Sequence, residues 1–170
     1  MPRSITEPKW PHQSMVDQLY GNPRGMNGGS SRSWERKNIV RIKTPWKLVA
    51  SWDFKTVSSI RIHEKCSDSL LRVFDTIWNA ANKEQLIINE WGMHLYAGAY
   101  HYRLMKGRSC LSMHSWGCAV DFDPARNSFG DSSPNFENIP AVLCAFKNEG
   151  WAWGGEWKKP DGMHWQAADV

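Results

Sequence analysis

Apolar residues recur along this chain with two distinct spacings. Between Ser67 and Ala81, the residues Leu70, Phe74, Ile77, Trp78 and Ala81 fall at intervals of three and four, so they line one face of a helix. Ser67 is a suitable N-cap for it. A second helix is predicted over Ile139–Asn148, where Pro140 suits the first turn and Gly150 suits the stop. Elsewhere the runs are short or alternate with period two. Ile39–Lys43 alternates apolar and basic residues and predicts a strand. Trp46–Trp52 and Val57–His63 predict two more, with Asp53-Phe54-Lys55 as the turn between them. Leu86–Ile88 is a short apolar run, and Met93–Arg103 and Cys118–Asp123 are strand candidates. Trp151–Trp165, rich in Trp and Gly, reads as strand and loop. Few elements are long and no βαβ alternation occurs, so the expected class is α+β.

Residues 1–38 break this pattern. They are rich in Pro, Gly, Ser and Arg, and the stretch from Gly21 to Ser31 sustains no period. The expected organisation is an irregular N-terminal arm over 1–38, either wrapped over the rest or free as a tail, followed by one compact domain over 39–170.

Composition narrows the function classes. A chain of 170 residues suits one domain, and no apolar run is long enough for a transmembrane helix. Met1–Pro8 has no apolar h-region, so no secretory signal is visible and synthesis in the cytoplasm is expected. Four cysteines without a CxxC pair exclude a disulfide scaffold and a zinc ribbon, and Cys66, Cys110, Cys118 and Cys144 are expected to stay reduced. The net charge of +4 is spread without a dense Lys/Arg block, so neither a nucleic-acid partner nor stable membrane insertion is expected, and the chain is expected to be a monomer. A nucleic-acid-binding role through Arg and Trp is the last-ranked alternative.

Two stretches concentrate metal-capable side chains: Ser112–Asp123 and Trp153–Trp165. A hydrolytic zinc takes three protein ligands and leaves a position for water, whose pKa it lowers to near 7; a nearby carboxylate then takes the proton. His114, Asp121 and His164 can supply nitrogen, oxygen and nitrogen, and Asp161, three residues before His164, can be the general base. Along Cys118–Asp123 side chains alternate faces, so Asp121 points away from Cys118, Val120 and Phe122, which argues against Cys118 as a ligand. On spacing alone a bland reading competes, in which each His is a hydrogen-bonded core residue and the Asp caps a turn.

The ordered pattern Ser112-x-His114-x-x-Gly117-x-Ala119-x-Asp121, then Trp153-Gly154-Gly155-x-Trp157 and Asp161-x-x-His164, resembles the zinc D-alanyl-D-alanine carboxypeptidase family. That family includes VanY-type carboxypeptidases and the L-alanyl-D-glutamate endopeptidases of phage endolysins and bacterial autolysins. The resemblance spans about residues 95–166, with a weaker likeness back to about residue 40. It implies a small Hedgehog/DD-peptidase-like domain, an antiparallel sheet with flanking helices, and one catalytic zinc held by His114, Asp121 and His164. It puts Asp161 at the catalytic carboxylate position, where many relatives carry Glu and the endolysin branch carries Asp. Arg103, in Tyr100-His101-Tyr102-Arg103, matches an arginine that stabilises the oxyanion or a substrate carboxylate, and Ser112 matches a serine near the bound substrate.

The resemblance therefore implies a peptidoglycan stem-peptide hydrolase of endolysin type, cutting L-Ala–D-Glu or D-Ala–D-Ala and reaching the wall through a holin. The alternative is a non-catalytic zinc module of the same fold that binds cell wall. Of the tryptophans flanking the motifs, Trp165 is assigned to the substrate cleft. His12, His63, His94 and His101 are expected to be structural or at the surface, and Glu156 to sit at the rim. Asp123 either orients a ligand or caps the turn at Pro124.

Overall fold

The computed structural model describes residues 9–170; Met1–Pro8, on which the reading of a missing signal rests, lies outside them. In chain order the elements are α1 (Val16–Tyr20), α2 (Arg32–Asn38), β1 (Ile39–Ile42), β2 (Leu48–Ala50), β3 (Thr56–Val57), β4 (Ile60–His63), α3 (Glu64–Ala80), α4 (Gln85–Trp91), β5 (Leu95–Gly98), β6 (Ala119–Phe122), α5 (Pro140–Asn148), β7 (Ala152–Trp153) and β8 (His164–Gln166). The class is α+β. Six strands form one sheet in the order β3-β2-β5-β6-β8-β7, and β1 and β4 pair separately as a ribbon. Every pair is antiparallel except β2–β5. That pair is parallel because the chain between them leaves through β4, crosses as α3 and α4, and returns in the same direction.

The periodic helix forms as its spacing requires: Leu70, Val73, Phe74 and Ile77 are fully buried against the sheet, and Phe74 meets Phe122 of β6 edge to face at 6.2 Å. It starts earlier than Ser67, however. His63 is the N-cap, its Nδ1 accepting from the Lys65 N–H at 3.1 Å, and Ser67 lies inside the first turns, donating to Glu64 O. The expected strand Val57–His63 divides at Ser58-Ser59, because β3 pairs with β2 while β4 turns away to pair with β1. The apolar run Leu86–Ile88 belongs to a helix, α4, too short for its period to be read from sequence. Met93–Arg103 yields only the four-residue β5; the register shifts between Tyr96 and Gly98, and the chain then leaves the sheet.

Residues 9–38 differ most from expectation. They are not irregular: they hold α1, α2 and a 3₁₀ turn at Gln13–Met15. Trp10, Val16, Tyr20 and Trp34 are buried in the same core as α3 and the sheet. Burial of these large side chains supplies what local propensity lacks. Their polar tips are satisfied across the structure: Trp10 Nε1 donates to Glu149 O at 2.9 Å, Tyr20 OH to Ala167 O at 2.7 Å, and Trp34 Nε1 to Tyr20 O at 2.9 Å. No helix among the described residues is long and apolar enough to cross a membrane.

His63 joins this segment to the core. Its Nε2–H donates to Tyr20 O at 3.0 Å while Nδ1 serves as the helix cap, so both nitrogens are used in the neutral ring. Burial lowers its pKa below the ordinary 6.5. The unfolded chain then binds the proton more readily than the folded one, so His63 stabilises the fold fully above pH 6.5 and progressively less as pH falls through the lowered value. His63→Asn, which can still cap, is expected to flatten the loss of thermal stability of the wild type between pH 7 and pH 5; unchanged pH dependence would contradict this role.

Candidate metal centre

The site is built where the central strands carry polar residues outward from the core. β6 is fully buried, and Val120 and Phe122 face the core as alternation requires, leaving Asp121 on the other face. β8 pairs beside it with Asp121 directly opposite His164. His114 comes from a 3₁₀ turn, Met113–Trp116, capped by Ser112, whose Oγ accepts from the His114 N–H at 3.4 Å. Gly117 ends that turn with φ +68, and a Cβ there would lie 2.7 Å from Ile39 Cδ1 and 2.9 Å from His63 N, so only glycine fits.

The three side chains converge. Ligand-capable atoms of His114, Asp121 and His164 all lie within 4.8 Å of one another. Asp121 sits between the rings: Oδ2 is 3.1 Å from His114 Nε2 and Oδ1 is 2.9 Å from His164 Nδ1. The rings stand edge to face, centroids 5.0 Å apart. All three residues are less than one-tenth exposed.

The histidines turn different nitrogens to the centre. His114 Nδ1–H donates to Ala99 O at 2.7 Å, which leaves the Nε2 lone pair pointing inward. That buried Nε2 makes no hydrogen bond although Asp121 Oδ2 lies 3.1 Å away, since its lone pair and the carboxylate are both acceptors. An orphaned imidazole nitrogen, a carboxylate and a second imidazole fit the nitrogen–oxygen–nitrogen donor set of a catalytic zinc. Burial alone would raise the Asp121 carboxyl, but His114 and His164 hold it well below the usual carboxylate range. Burial disfavours the His164 cation, yet the Asp121 carboxylate outweighs it and raises the His164 pKa.

Asp161 belongs to the same neighbourhood. It is joined to His164 by a tight turn, His164 N–H donating to Asp161 O at 3.1 Å. Its Oδ1 is buried without a partner. Burial raises the Asp161 pKa above its ordinary value, the like charge of Asp121 adds to this, and His164, His114 and Arg103 oppose it. Gly154 makes the approach possible: its carbonyl accepts from Asp161 N–H at 2.8 Å, and a Cβ on it would stand 2.4 Å from Asp161 O. Gly154→Ala is therefore expected to push the 161–164 turn away, at a cost of about 1–3 kcal/mol in thermal unfolding. A melting temperature equal to wild type would contradict this packing.

The other predicted residues fall as follows. Arg103 is exposed in a loop beyond β5, its charge reaching Asp161; the backbone there is pinned by the fully buried Ser115 hydroxyl, which accepts from Arg103 N–H at 3.0 Å and donates to Arg103 O at 2.9 Å. Ser112 is buried and occupied as the cap of the His114 turn. Trp165 is not at a cleft. It is fully buried on the core face of β8, stacked on Phe146 at 4.5 Å and against Phe136 at 4.7 Å, because its neighbours His164 and Gln166 take the opposite face. Trp157 is the tryptophan beside the centre, its ring 5.4 Å from that of His164.

Glu156 is exposed and paired with Lys147. Asp123 is buried and bonded to Arg126 Nε at 2.7 Å, and Cys118 is buried in the core. Two residues that the sequence reading did not single out touch the site, Ser115 and Gln166; the latter's Oε1 is 2.9 Å from His164 Nε2.

The sequence model of the D-alanyl-D-alanine carboxypeptidase family matches residues 106–167. No curated protein and no solved structure matches the chain. The matched stretch contains His114, Asp121, Asp161 and His164, and together with the convergence of the two histidines on Asp121 it supports a zinc peptidase of that family.

Proposed function

We propose that this chain is a zinc-dependent peptidoglycan hydrolase that cuts the stem peptide, with Asp161 as general base. The observation that carries the reading is a buried carboxylate oxygen without a partner, Asp161 Oδ1, beside a three-residue cluster with an orphaned imidazole nitrogen, His114 Nε2. A purely structural zinc site has no use for such a carboxylate.

His114, Asp121 and His164 would hold the ion. When bound, zinc supplies Lewis acidity, which lowers the pKa of water and polarises a carbonyl. Asp161 accepts the proton of the attacking water through its free oxygen and returns it to the leaving amine. The raised pKa of Asp161 suits the first half of that cycle, since a more basic carboxylate takes the proton more readily. Arg103, exposed and near Asp161, offers its guanidinium to the carbonyl oxygen as charge develops, or to a substrate carboxylate. Ser112 stays in this reading as a residue beside the substrate that also holds the His114 turn. Trp157, next to His164, takes the cleft-wall role in place of Trp165. The endolysin branch is favoured because Asp161, rather than Glu, stands at the base position.

Mass spectrometry of purified peptidoglycan digested with the zinc-loaded protein tests this reading. New amino termini are expected, sensitive to a chelator. Release of the stem after L-Ala marks an endopeptidase, and release of free D-Ala marks a carboxypeptidase. Wall material that gains no new amino termini would overturn the hydrolase reading and leave a wall-binding zinc module of the same fold.

A further inference from the structure

The two histidines of the centre are held by partners of different kinds. His114 leans on a main-chain carbonyl, Ala99 O, whereas His164 leans on a side chain, Gln166. Gln166 lies two residues along β8 from His164, on the same face of the strand, and is 1% exposed. Its cross-strand neighbours are both alanines, Ala119 on β6 and Ala152 on β7, so neither supplies a competing polar side chain.

The Gln166 amide has one satisfactory orientation. Its Nε2–H donates to Ala168 O at 3.0 Å, which turns the carbonyl oxygen Oε1 to His164 Nε2 at 2.9 Å. Reversal would set Oε1 against the Ala168 carbonyl, two acceptors face to face in a buried place. An acceptor opposite His164 Nε2 requires a hydrogen on that nitrogen. Nδ1, 2.9 Å from the Asp121 carboxylate, is then the nitrogen left to exchange its hydrogen for an ion, while Nε2 keeps its own for Gln166. We propose that Gln166 is a positioning residue: its carbonyl, locked by Ala168, fixes His164 in the tautomer that presents Nδ1 to the metal. The inference rests on the zinc reading above and deepens it, since it assigns the partner that orients the third ligand. Outer partners of this kind usually carry about 10–100-fold in metal affinity.

Two variants separate this role from mere packing. Gln166→Leu removes both hydrogen bonds. Gln166→Glu loses the donor to Ala168 O but keeps an oxygen acceptor for His164 Nε2. The dissociation constant for zinc, measured by competition with a chelating dye, is expected to rise about 10–100-fold in Gln166→Leu and by clearly less in Gln166→Glu, which keeps the acceptor for His164 but sets its second oxygen against Ala168 O. Equal zinc binding by wild type and Gln166→Leu, or equal weakening in both variants, would overturn the proposal. A measurement on wild type alone guards against a variant that does not fold. In the zinc-loaded, ¹⁵N-histidine-labelled protein, His164 is expected to show a protonated Nε2 and a metal-shifted Nδ1; coordination through Nε2 would overturn the proposal. A wild-type protein that binds no zinc would overturn the zinc reading itself, and this inference with it.

Discussion

Asp161→Asn is expected to reduce turnover of stem peptide by about 10²–10⁴-fold, the usual contribution of a positioned general base. The substitution is nearly isosteric and touches none of the three ligands, so zinc content should remain that of wild type. The turn that carries residue 161 is made by main-chain bonds, Asp161 N–H to Gly154 O at 2.8 Å and His164 N–H to Asp161 O at 3.1 Å, and these survive the change. An amide at the unpaired Oδ1 position lacks the basicity to take a proton from water. Metal analysis and steady-state rates on the same preparation check both halves. Loss of activity together with loss of zinc would instead make residue 161 part of the metal cage, and full activity would remove it from the mechanism.

Asp121→Asn is expected to have the second large effect, and by a different route. The carboxylate stands between both histidines, 3.1 Å from one ring nitrogen and 2.9 Å from the other, and is the only charged group of the three-residue cluster that both rings touch. A neutral amide is a weaker ligand and removes the charge that offsets the ion in a buried place. Zinc affinity should fall by more than the roughly 10–100-fold that loss of an outer partner produces, and hydrolysis should fall with it. In the wild type the raised pKa of His164 sets a proton in competition with an ion for that ring, so zinc binding is expected to release protons and to weaken as pH falls. Removing the Asp121 charge removes the main support of that proton, so the variant should bind zinc weakly at every pH but with a shallower pH dependence. Chelator competition across pH 5–8 on both proteins checks this. Retention of wild-type affinity would contradict the assigned ligand set.

The convergence of His114, Asp121 and His164 was more legible in the sequence than the scaffold around it. His114, Asp121, Asp161 and His164 stand in short ordered motifs, and period-two alternation already turned Asp121 away from the core-facing Val120 and Phe122. The helix α3 was legible because seventeen residues give its period several turns to repeat. What failed to show in sequence is held by tertiary contacts. α2 has one buried residue, Trp34, and α4 one, Ile88, so neither carries a face that a periodicity can reveal. The helical turns of residues 13–38 form because Tyr20 bonds Ala167 and Trp34 packs against His63 and Tyr100, contacts with no local signature.

Trp165 was misassigned for a related reason. A tryptophan beside a ligand suits a cleft or a core equally, and only the register of β8 against β6 decides which face it takes. The same register explains Gln166. Once His164 is known to lie on a strand, the residue two positions later must share its face, but the short β8 gave no alternation long enough to announce itself.

Everything in the functional account depends on one ion held by three side chains. Anomalous diffraction at the zinc edge, from crystals of the zinc-loaded protein, tests this most directly. A single strong peak is expected about 2.0–2.2 Å from His114 Nε2, an Asp121 oxygen and His164 Nδ1, with Asp161 close by. No peak at these residues, or a peak held by other side chains, would contradict it.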